Sequence, residues 1–517
     1  MTVEGIIVLI SLVGMLAALI ADKMRPGLVL FTVLVIFLVC GILSPKEMIE
    51  GFSNKGMITV ALLFLVSEGI RQSGALTQVI KRLLPQEKTT VFKAQLRMLP
   101  PIAFISAFLN NTPVVVIFAP IIKRWANKVK LPATYFLIPL SYVTIFGGVC
   151  TLIGTSTNLV VHSMMQAEGM RGFTMFELGK VGIVLAIFGI AYILLFSKKL
   201  LPAERPADPG AEEENAEPSE NETEVILSAR FPGINKNVDA FDFKRHYGAD
   251  IKEIRRGGNT YKDYSELYFR EGDTLVLDAD DSFVKTWGES RVFIMIANGK
   301  DQEAPGRKKR WLALSLLAIM IIGATVGELP AVQEMLPPGV KLDMFFFVSV
   351  IVVIMAWTKI FPPKKYTKYI SWDILITIAC AFGISKAMVN SGVADYLASN
   401  IINMTSAYGP YAILAGMFLI VTVFTELITN NAAAALTFPL AMSLSEQMGI
   451  SPMPFFVVIC MAASASFCTP IGYQTNLIVQ GIGNYKFTDF VRIGLPLNIL
   501  NFVVSVILIP QIWPFYE

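Results

Sequence analysis

The sequence predicts an all-α polytopic membrane protein: two inverted repeats of five transmembrane spans plus one re-entrant hairpin each, with a small α+β cytoplasmic domain inserted between them. Three observations predict it: hydropathy, an internal duplication, and apolar stretches interrupted by polar residues. The 517 residues are 54% hydrophobic and 16% charged, with a mean hydropathy of +0.59. Such a chain is too apolar to be water-soluble, and many of its apolar runs approach membrane length.

Residues 98–122 (MLPPIAFISAFLNNTPVVVIFAPII) carry no charge, yet Asn110-Asn111-Thr112 sits in their middle. Each apolar limb, about 12 residues long, is too short for a bilayer core that takes about 20 helical residues. A re-entrant hairpin over 98–122 follows, its turn received by protein or a water-filled cavity, where irregular backbone is tolerated at that depth. Thr112 followed by Pro113 reads as a helix start, a hydroxyl able to cap and then proline where its missing N–H costs nothing.

The design recurs. Residues 106–120 (SAFLNNTPVVVIFAP) match 425–439 (TELITNNAAAALTFP) at a shift of 319, placing Asn111 on Asn430, Thr112 on Asn431 and Pro120 on Pro439. Residues 150–161 (CTLIGTSTNLVV) match 468–479 (CTPIGYQTNLIV) at a shift of 318. Pro45-Lys46, Ser53 and Ser73-Gly74 pair with Pro363-Lys364, Ser371 and Ser391-Gly392 at the same shift of 318. The duplication divides the chain into a first transmembrane repeat, 1–200, and a second, 306–517, whose hairpin spans 411–446.

In order, apolar spans are expected at 3–21, 28–43, 57–72, the hairpin, 133–166 with a break at 154–158, and 178–196. The first lacks a basic leader and a small-residue cleavage site, and is expected to be retained. Residues 201–224 form an acidic, Pro- and Ala-rich linker; the sequon Asn221-Glu222-Thr223 within it carries little weight on a cytoplasmic segment. Residues 225–300 read as a soluble domain: VILSA, ADIKEIRR, DTLVLDA and VFIMIA as strands, VDAFDFKRHYG and DDSFVKTWG as helices, in β-α-β-β-α-β order. Spans resume at 311–327, 343–358, 371–389, the second hairpin, 453–480 with a break at 472–476, and 490–513.

Basic residues set the orientation. Lys198-Lys199, the inserted domain and the run GRKKR (306–310) belong in the cytoplasm by the positive-inside rule. Counting outward puts the basic flanks of the first hairpin inside and the neutral or acidic flanks of the second outside. Five spans per copy then invert the second, with both termini outside, the topology of many secondary transporters.

Each hairpin and each broken span places a helix start beside Asn or Thr: Thr112, Thr157-Asn158, Asn431 and Thr475-Asn476. Four such N-termini, each worth roughly half a positive charge, balance about two negative charges without a buried Lys or Arg. Oxygens of Ser106, Asn111, Thr425 and Asn430 at the preceding limbs suit Na⁺. An asparagine shared between cation and anion sites couples them, which is a symport design. Glu68 and Glu426 lie in apolar stretches, where an ionisable group is either functional or bonded to the scaffold.

Other functions find little material. The five cysteines lack CxxC spacing and the two histidines, His162 and His246, stand apart, so disulfides, zinc and metal catalysis are not expected. No nucleophile, base and orienter set marks an enzyme, and a net charge of +3 spread over this chain argues against a nucleic-acid partner. A ligand-gated channel is the competing class, although Gly472-Tyr473 lacks the context of a potassium filter.

The paired hairpins resemble those of the divalent anion:sodium symporters of the solute carrier 13 type, which carry sulfate and dicarboxylates. The family's Ser-Asn-Thr signatures match Asn110-Asn111-Thr112 and Thr429-Asn430-Asn431, each retaining the central Asn. The resemblance implies Na⁺ ligands at Ser106, Asn110, Asn111 and Gly154, and at Thr425, Thr429, Asn430 and Gly472. It implies substrate contacts at Asn111, Thr112, Thr155, Asn430, Asn431 and Tyr473. The family's Thr/Ser-Pro-Pro-Asn loops appear without their prolines as Thr155-Ser156-Thr157-Asn158 and Tyr473-Gln474-Thr475-Asn476, which favours the sulfate branch over a dicarboxylate carrier. The phrases FPGINKNV, YGADIKEIRRGG and REGDTLVLDADD in the inserted domain resemble the C-terminal (TrkA-C-like) module of the regulators of potassium conductance. These resemblances imply a homodimer, an elevator movement and a regulatory ligand such as a nucleotide, in addition to Na⁺, a small anion substrate and membrane lipid.

Overall fold

The computed structural model describes residues 2–21, 24–85, 89–203, 222–298 apart from positions 229, 289 and 291, 306–335, 337, 341–405 and 409–516. Most of the expected linker, including Asn221 of the sequon, lies outside the described residues.

The first copy runs α1 (Val3–Ile20), α2 (Pro26–Val39), α3 (Pro45–Glu50), α4 (Lys55–Gln72), α5 (Ala75–Leu83), α6 (Val91–Ser106), α7 (Asn111–Lys128), α8 (Thr134–Gly148), α9 (Ser156–Ala167) and α10 (Gly179–Leu200). The inserted domain follows as β1 (Glu222–Leu227), α11 (Phe243–Tyr247), β2 (Asp250–Arg256), β3 (Asn259–Tyr261), β4 (Thr274–Asp278), α12 (Asp281–Trp287) and β5 (Phe293–Asn298). The second copy comprises α13 (Arg307–Gly327), α14 (Pro330–Gln333), α15 (Met344–Trp357), α16 (Trp372–Asn390), α17 (Val393–Thr405), α18 (Gly409–Leu427), α19 (Asn430–Met448), α20 (Met453–Ser464), α21 (Gln474–Gly483) and α22 (Phe487–Ile512).

Equivalent helices start at equivalent places. α2 and α15 begin 318 residues apart, as do α5 and α17, α6 and α18, and α9 and α21; α7 and α19, and α8 and α20, begin 319 apart. Packing is reciprocal in the same way. α2 lies on α16 while its counterpart α15 lies on α4; α7 lies on α21 and α19 on α9; α8 lies on α21 and α20 on α9. Two copies joined by a self-complementary contact make such pairs. Seven described segments are long and apolar enough to cross a membrane. Exposed side chains such as Ile10, Ile187, Leu195, Ile322, Ile499 and Ile507 give them a lipid-compatible exterior.

Three local details differ from the sequence expectation. The limbs of the first hairpin are longer than the uncharged stretch, because α6 continues through Pro100-Pro101 back to Val91 and α7 on to Lys128. Lack of charge marks the apolar zone, not the helix ends. α7 starts at Asn111 rather than Thr112, which leaves Pro113 in the first turn, where N–H groups have no partner within the helix anyway. α9, α19 and α21 likewise begin one residue ahead of the positions read from sequence. The inserted domain holds five strands, not four: three-residue β3 folds back on β2.

Its sheet is antiparallel, in order β3-β2-β4-β1-β5. A separate core closes around Phe231, Phe241, Phe243, Tyr247, Phe269 and Phe293. The domain rests on one helix of each copy. Lys123 of α7 reaches Glu224 of β1 at 2.8 Å, with Arg255 of β2 at 2.8 Å from the same carboxylate. Burial pushes the Glu224 pKa up, but the two cations beside it outweigh burial and hold it below the ordinary range. At the other contact, Gly258 N donates to Oδ1 of Asn484, the residue capping α21, at 2.9 Å.

Candidate anion and cation site

The turn between α6 and α7 is closed by a bond across five residues, Ser106 Oγ donating to Asn111 Oδ1 at 2.8 Å. The second copy repeats it, Thr425 Oγ1 donating to Asn430 Oδ1 at 2.9 Å and also meeting Ala463 O at 2.5 Å. Each closure leaves the asparagine amide nitrogen to point elsewhere. Asn111 Nδ2 donates to the Tyr473 hydroxyl at 2.6 Å. Thr155 Oγ1 lies 3.4 Å from the same hydroxyl. Tyr473, itself in the second break, therefore meets the first hairpin and the first break. Thr155 and Tyr473 hold equivalent places, each capping the helix that follows its break with extended backbone.

A second set of contacts crosses between the copies. Thr112 Oγ1 donates to Gln474 Oε1 at 3.3 Å, and Ser156 Oγ donates to Asn431 Oδ1 at 3.0 Å. Thr112 and Asn431 are equivalent, as are Gln474 and Ser156, so the two bonds are one contact made twice. The starts of α7, α9, α19 and α21 are thereby linked, and no Lys or Arg belongs to this network among the described residues. Positive helix ends and N–H and O–H donors are what an anion requires.

Beneath each break the backbone folds on itself. The Thr151 hydroxyl donates to Ala107 O and receives Gly154 N at 3.2 Å, while Asn158 Nδ2 donates to Thr151 O at 2.8 Å. In the second copy Thr469 Oγ1 receives Gly472 N at 3.0 Å, and Asn476 Nδ2 donates to Thr469 O at 3.0 Å. Glycine is required at both breaks. A Cβ at Gly154 would stand 2.6 Å from Gly148 O and 2.9 Å from Ala107 O, and one at Gly472 would stand 2.0 Å from Ser466 Oγ and 2.9 Å from Thr425 O. Carbonyl, hydroxyl and amide oxygens crowd both places, a hard donor set of the kind that takes an alkali cation.

The structure thus gathers Ser106, Asn111, Thr112, Gly154 and Thr155 with Thr425, Asn430, Asn431, Gly472 and Tyr473. Asn110 and Thr429 stand at the N-caps of α7 and α19. Thr429 caps Ala432 N at 3.4 Å, and Asn110 makes no side-chain cap bond. The sequence assigns no role to Thr151, Ser466 or Thr469, and names Ser156 and Gln474 only as members of the two matched loops. Thr151 and Thr469 carry a usable signal, since they match within the duplicated CT-x-IG motif; Ser466 stands opposite a glycine, and Gln474 opposite a serine, so neither is marked by identity between the copies. Of the two membrane acids, Glu68 pairs with Arg71 at 2.6 Å within α4, away from this network. Glu426 sits inside it, accepting from Thr469 Oγ1 at 2.7 Å, Cys468 N at 3.0 Å, Ser466 Oγ at 3.2 Å and Asn498 Nδ2 at 3.2 Å.

Comparison with known proteins agrees with this architecture. The family model described as citrate transporter matches residues 16–444 and 340–515. An uncharacterised transporter of Synechocystis is 27% identical, over 93% of this chain and 92% of its own length. Sodium/sulfate cotransporter 1 of Chlamydomonas reinhardtii is 22% identical over 94% of this chain and 87% of its own. Solute carrier family 13 member 1 of Mus musculus is 25% identical over 74% of this chain and 57% of its own. The chain belongs to the citrate transporter family, and it is a secondary transporter of the divalent anion:sodium symporter type rather than an enzyme.

Proposed function

We propose that this protein couples the entry of a divalent anion, sulfate first, to sodium. The carrying observation is the matched pair of asparagine-centred turns, the first of which meets Tyr473 of the other copy. On each asparagine the amide oxygen faces the hydroxyl of the preceding limb, Ser106 or Thr425, and on Asn111 the amide nitrogen faces the Tyr473 hydroxyl. A cation held by the oxygen polarises the amide and strengthens its N–H donors toward an anion, and the anion returns the favour. Na⁺ is carried by Ser106, Asn110, Asn111 and Gly154 in one copy and by Thr425, Thr429, Asn430 and Gly472 in the other. The anion is held by Asn111, Thr112, Thr155, Asn430, Asn431 and Tyr473 at the four helix starts.

Sulfate is supported by the Chlamydomonas sodium/sulfate cotransporter, which aligns over nearly the whole chain, and by a site built of short hydroxyl and amide donors. A dicarboxylate or citrate is the second reading, favoured by the description of the matching family. The hairpins enter from opposite membrane faces and the copies form an inverted repeat, which moves as an elevator within a homodimer. The inserted domain is cytoplasmic and regulatory. The test is uptake of labelled sulfate into proteoliposomes: an inward sodium gradient drives accumulation, and unlabelled sulfate competes better than succinate or citrate. Uptake indifferent to sodium, or sodium-independent conductance at fixed voltage, would refute symport.

A further inference from the structure

A crevice of about 160 Å³ opens where the inserted domain meets α21. One wall is the end of β2 with the 270–273 loop, bringing Arg255, Arg256 and Arg270; the other is Gln480, Gly481 and Asn484. Its floor is tightly built. A Cβ added to Gly272 would stand 2.7 Å from Leu477, and one added to Gly481 would stand 2.7 Å from the Thr274 hydroxyl. Together with the bond from Gly258 N to Asn484 Oδ1, these contacts fix the two walls against each other.

The arginines are oriented but not exhausted. Arg256 is held by Asp273 through two bonds of 2.6 Å and by Tyr268 O at 2.6 Å, which leaves its Nη1 hydrogens unused. Arg255 is held by Glu253 at 2.7 Å and Glu224 at 2.8 Å. Arg270 is exposed, and among the described residues its guanidinium makes no hydrogen bond. Glu271 and Asp273 also line the crevice, but Asp273 is taken up by Arg256, so the Arg270 guanidinium beside the clamped Arg256 keeps forked N–H donors for a ligand. That is how a tetrahedral oxyanion is recognised.

We infer that this crevice binds a small oxyanion, either bare sulfate or phosphate or the phosphate group of a larger metabolite, with Arg270 as its principal contact. The inference rests on the regulatory reading of the inserted domain and gives that domain a ligand class and a place to act. α21 carries the effect. Its start presents Gln474 to Thr112 and follows Tyr473, while its far end, about 16 Å away along the helix axis, forms the wall of the crevice. An anion bridging Arg270 to Gln480 ties the inserted domain to the helix that holds the transport site.

The experiment uses the full-length protein in detergent without sodium, where anion binding at the proposed transport site is weak. Calorimetric titrations with sulfate, phosphate and adenosine monophosphate are run in parallel on wild type and on Arg270→Gln. At least one anion binds the wild type, and Arg270→Gln weakens it about tenfold while leaving sodium-driven uptake unchanged in ligand-free vesicles. A tenfold loss corresponds to about 1.4 kcal/mol. Similar affinities for sulfate and phosphate identify a bare oxyanion; adenosine monophosphate binding more tightly than phosphate identifies a phosphate ester. No sodium-free binding of any of the three, or equal affinity in Arg270→Gln, overturns the inference. Failure of wild-type uptake would instead refute the transport reading and leave the binding result readable.

Discussion

The two copies share a hairpin, a break and a cross-contact, and they differ at one point of charge. In the first, the hydroxyl below the break, Thr151, donates to the main-chain oxygen of Ala107. In the second, the equivalent Thr469 donates to the carboxylate of Glu426, which stands at the position equivalent to Ala107. A main-chain oxygen has been replaced by a carboxylate, and Ser466 stands where the first copy has Gly148. A carboxylate about 4 Å from a cation contributes roughly 4 kcal/mol at an effective dielectric near 20, before its own desolvation is counted. On the proposed sodium reading, duplication would supply two cation places, with Glu426 making the second the tighter.

Breaking what the copies share gives the largest effect. Asn111→Ala or Asn430→Ala removes an amide proposed to hold both ions, so uptake is expected to fall by at least about 100-fold, from the loss of two bonds to charged ligands worth roughly 1.5–3 kcal/mol each. Proteoliposome uptake checks this, with size-exclusion chromatography showing an intact fold; wild-type uptake in both variants would remove the site from consideration. Sharpening the difference comes next. Glu426→Gln keeps much of the hydrogen bonding but removes the charge, and half-saturating sodium rises about tenfold, a change of about 1.4 kcal/mol, with little change in KM for the anion at saturating sodium. An unaltered sodium dependence would make Glu426 a scaffold group.

A smaller effect is expected at the shared bridge. Tyr473→Phe deletes the hydroxyl that Asn111 and Thr155 reach, raising KM for the anion about fivefold, in keeping with a net hydrogen bond of about 1 kcal/mol. The smallest effect concerns stability. Asn476 Oδ1 accepts from Ser141 Oγ at 2.7 Å, whereas its equivalent Asn158 Oδ1 is buried without a partner. Ser141→Ala leaves Asn476 in the same state and costs about 1–3 kcal/mol, read as a lowered melting temperature in detergent.

Much of this was legible in the sequence because duplication writes the same physics twice. The asparagine-centred hairpins, the glycine breaks and the change of composition around the inserted domain all leave signals at fixed spacing. Helix starts were read one residue late, since Thr112-Pro113 marks a first turn without saying which residue opens it. Strand β3, three residues long, falls below any periodic signal. The links from Thr112 to Gln474 and from Asn431 to Ser156 were not legible, because they depend on how one copy lies on the other and not on any local pattern.

That reciprocal seam limits what a fragment can do. Each copy presents residues whose partners exist only on its counterpart, Thr112 waiting for Gln474 and Asn431 for Ser156. A chain cut to either half keeps its loops but has no receptor, and can regain one only by docking onto another half.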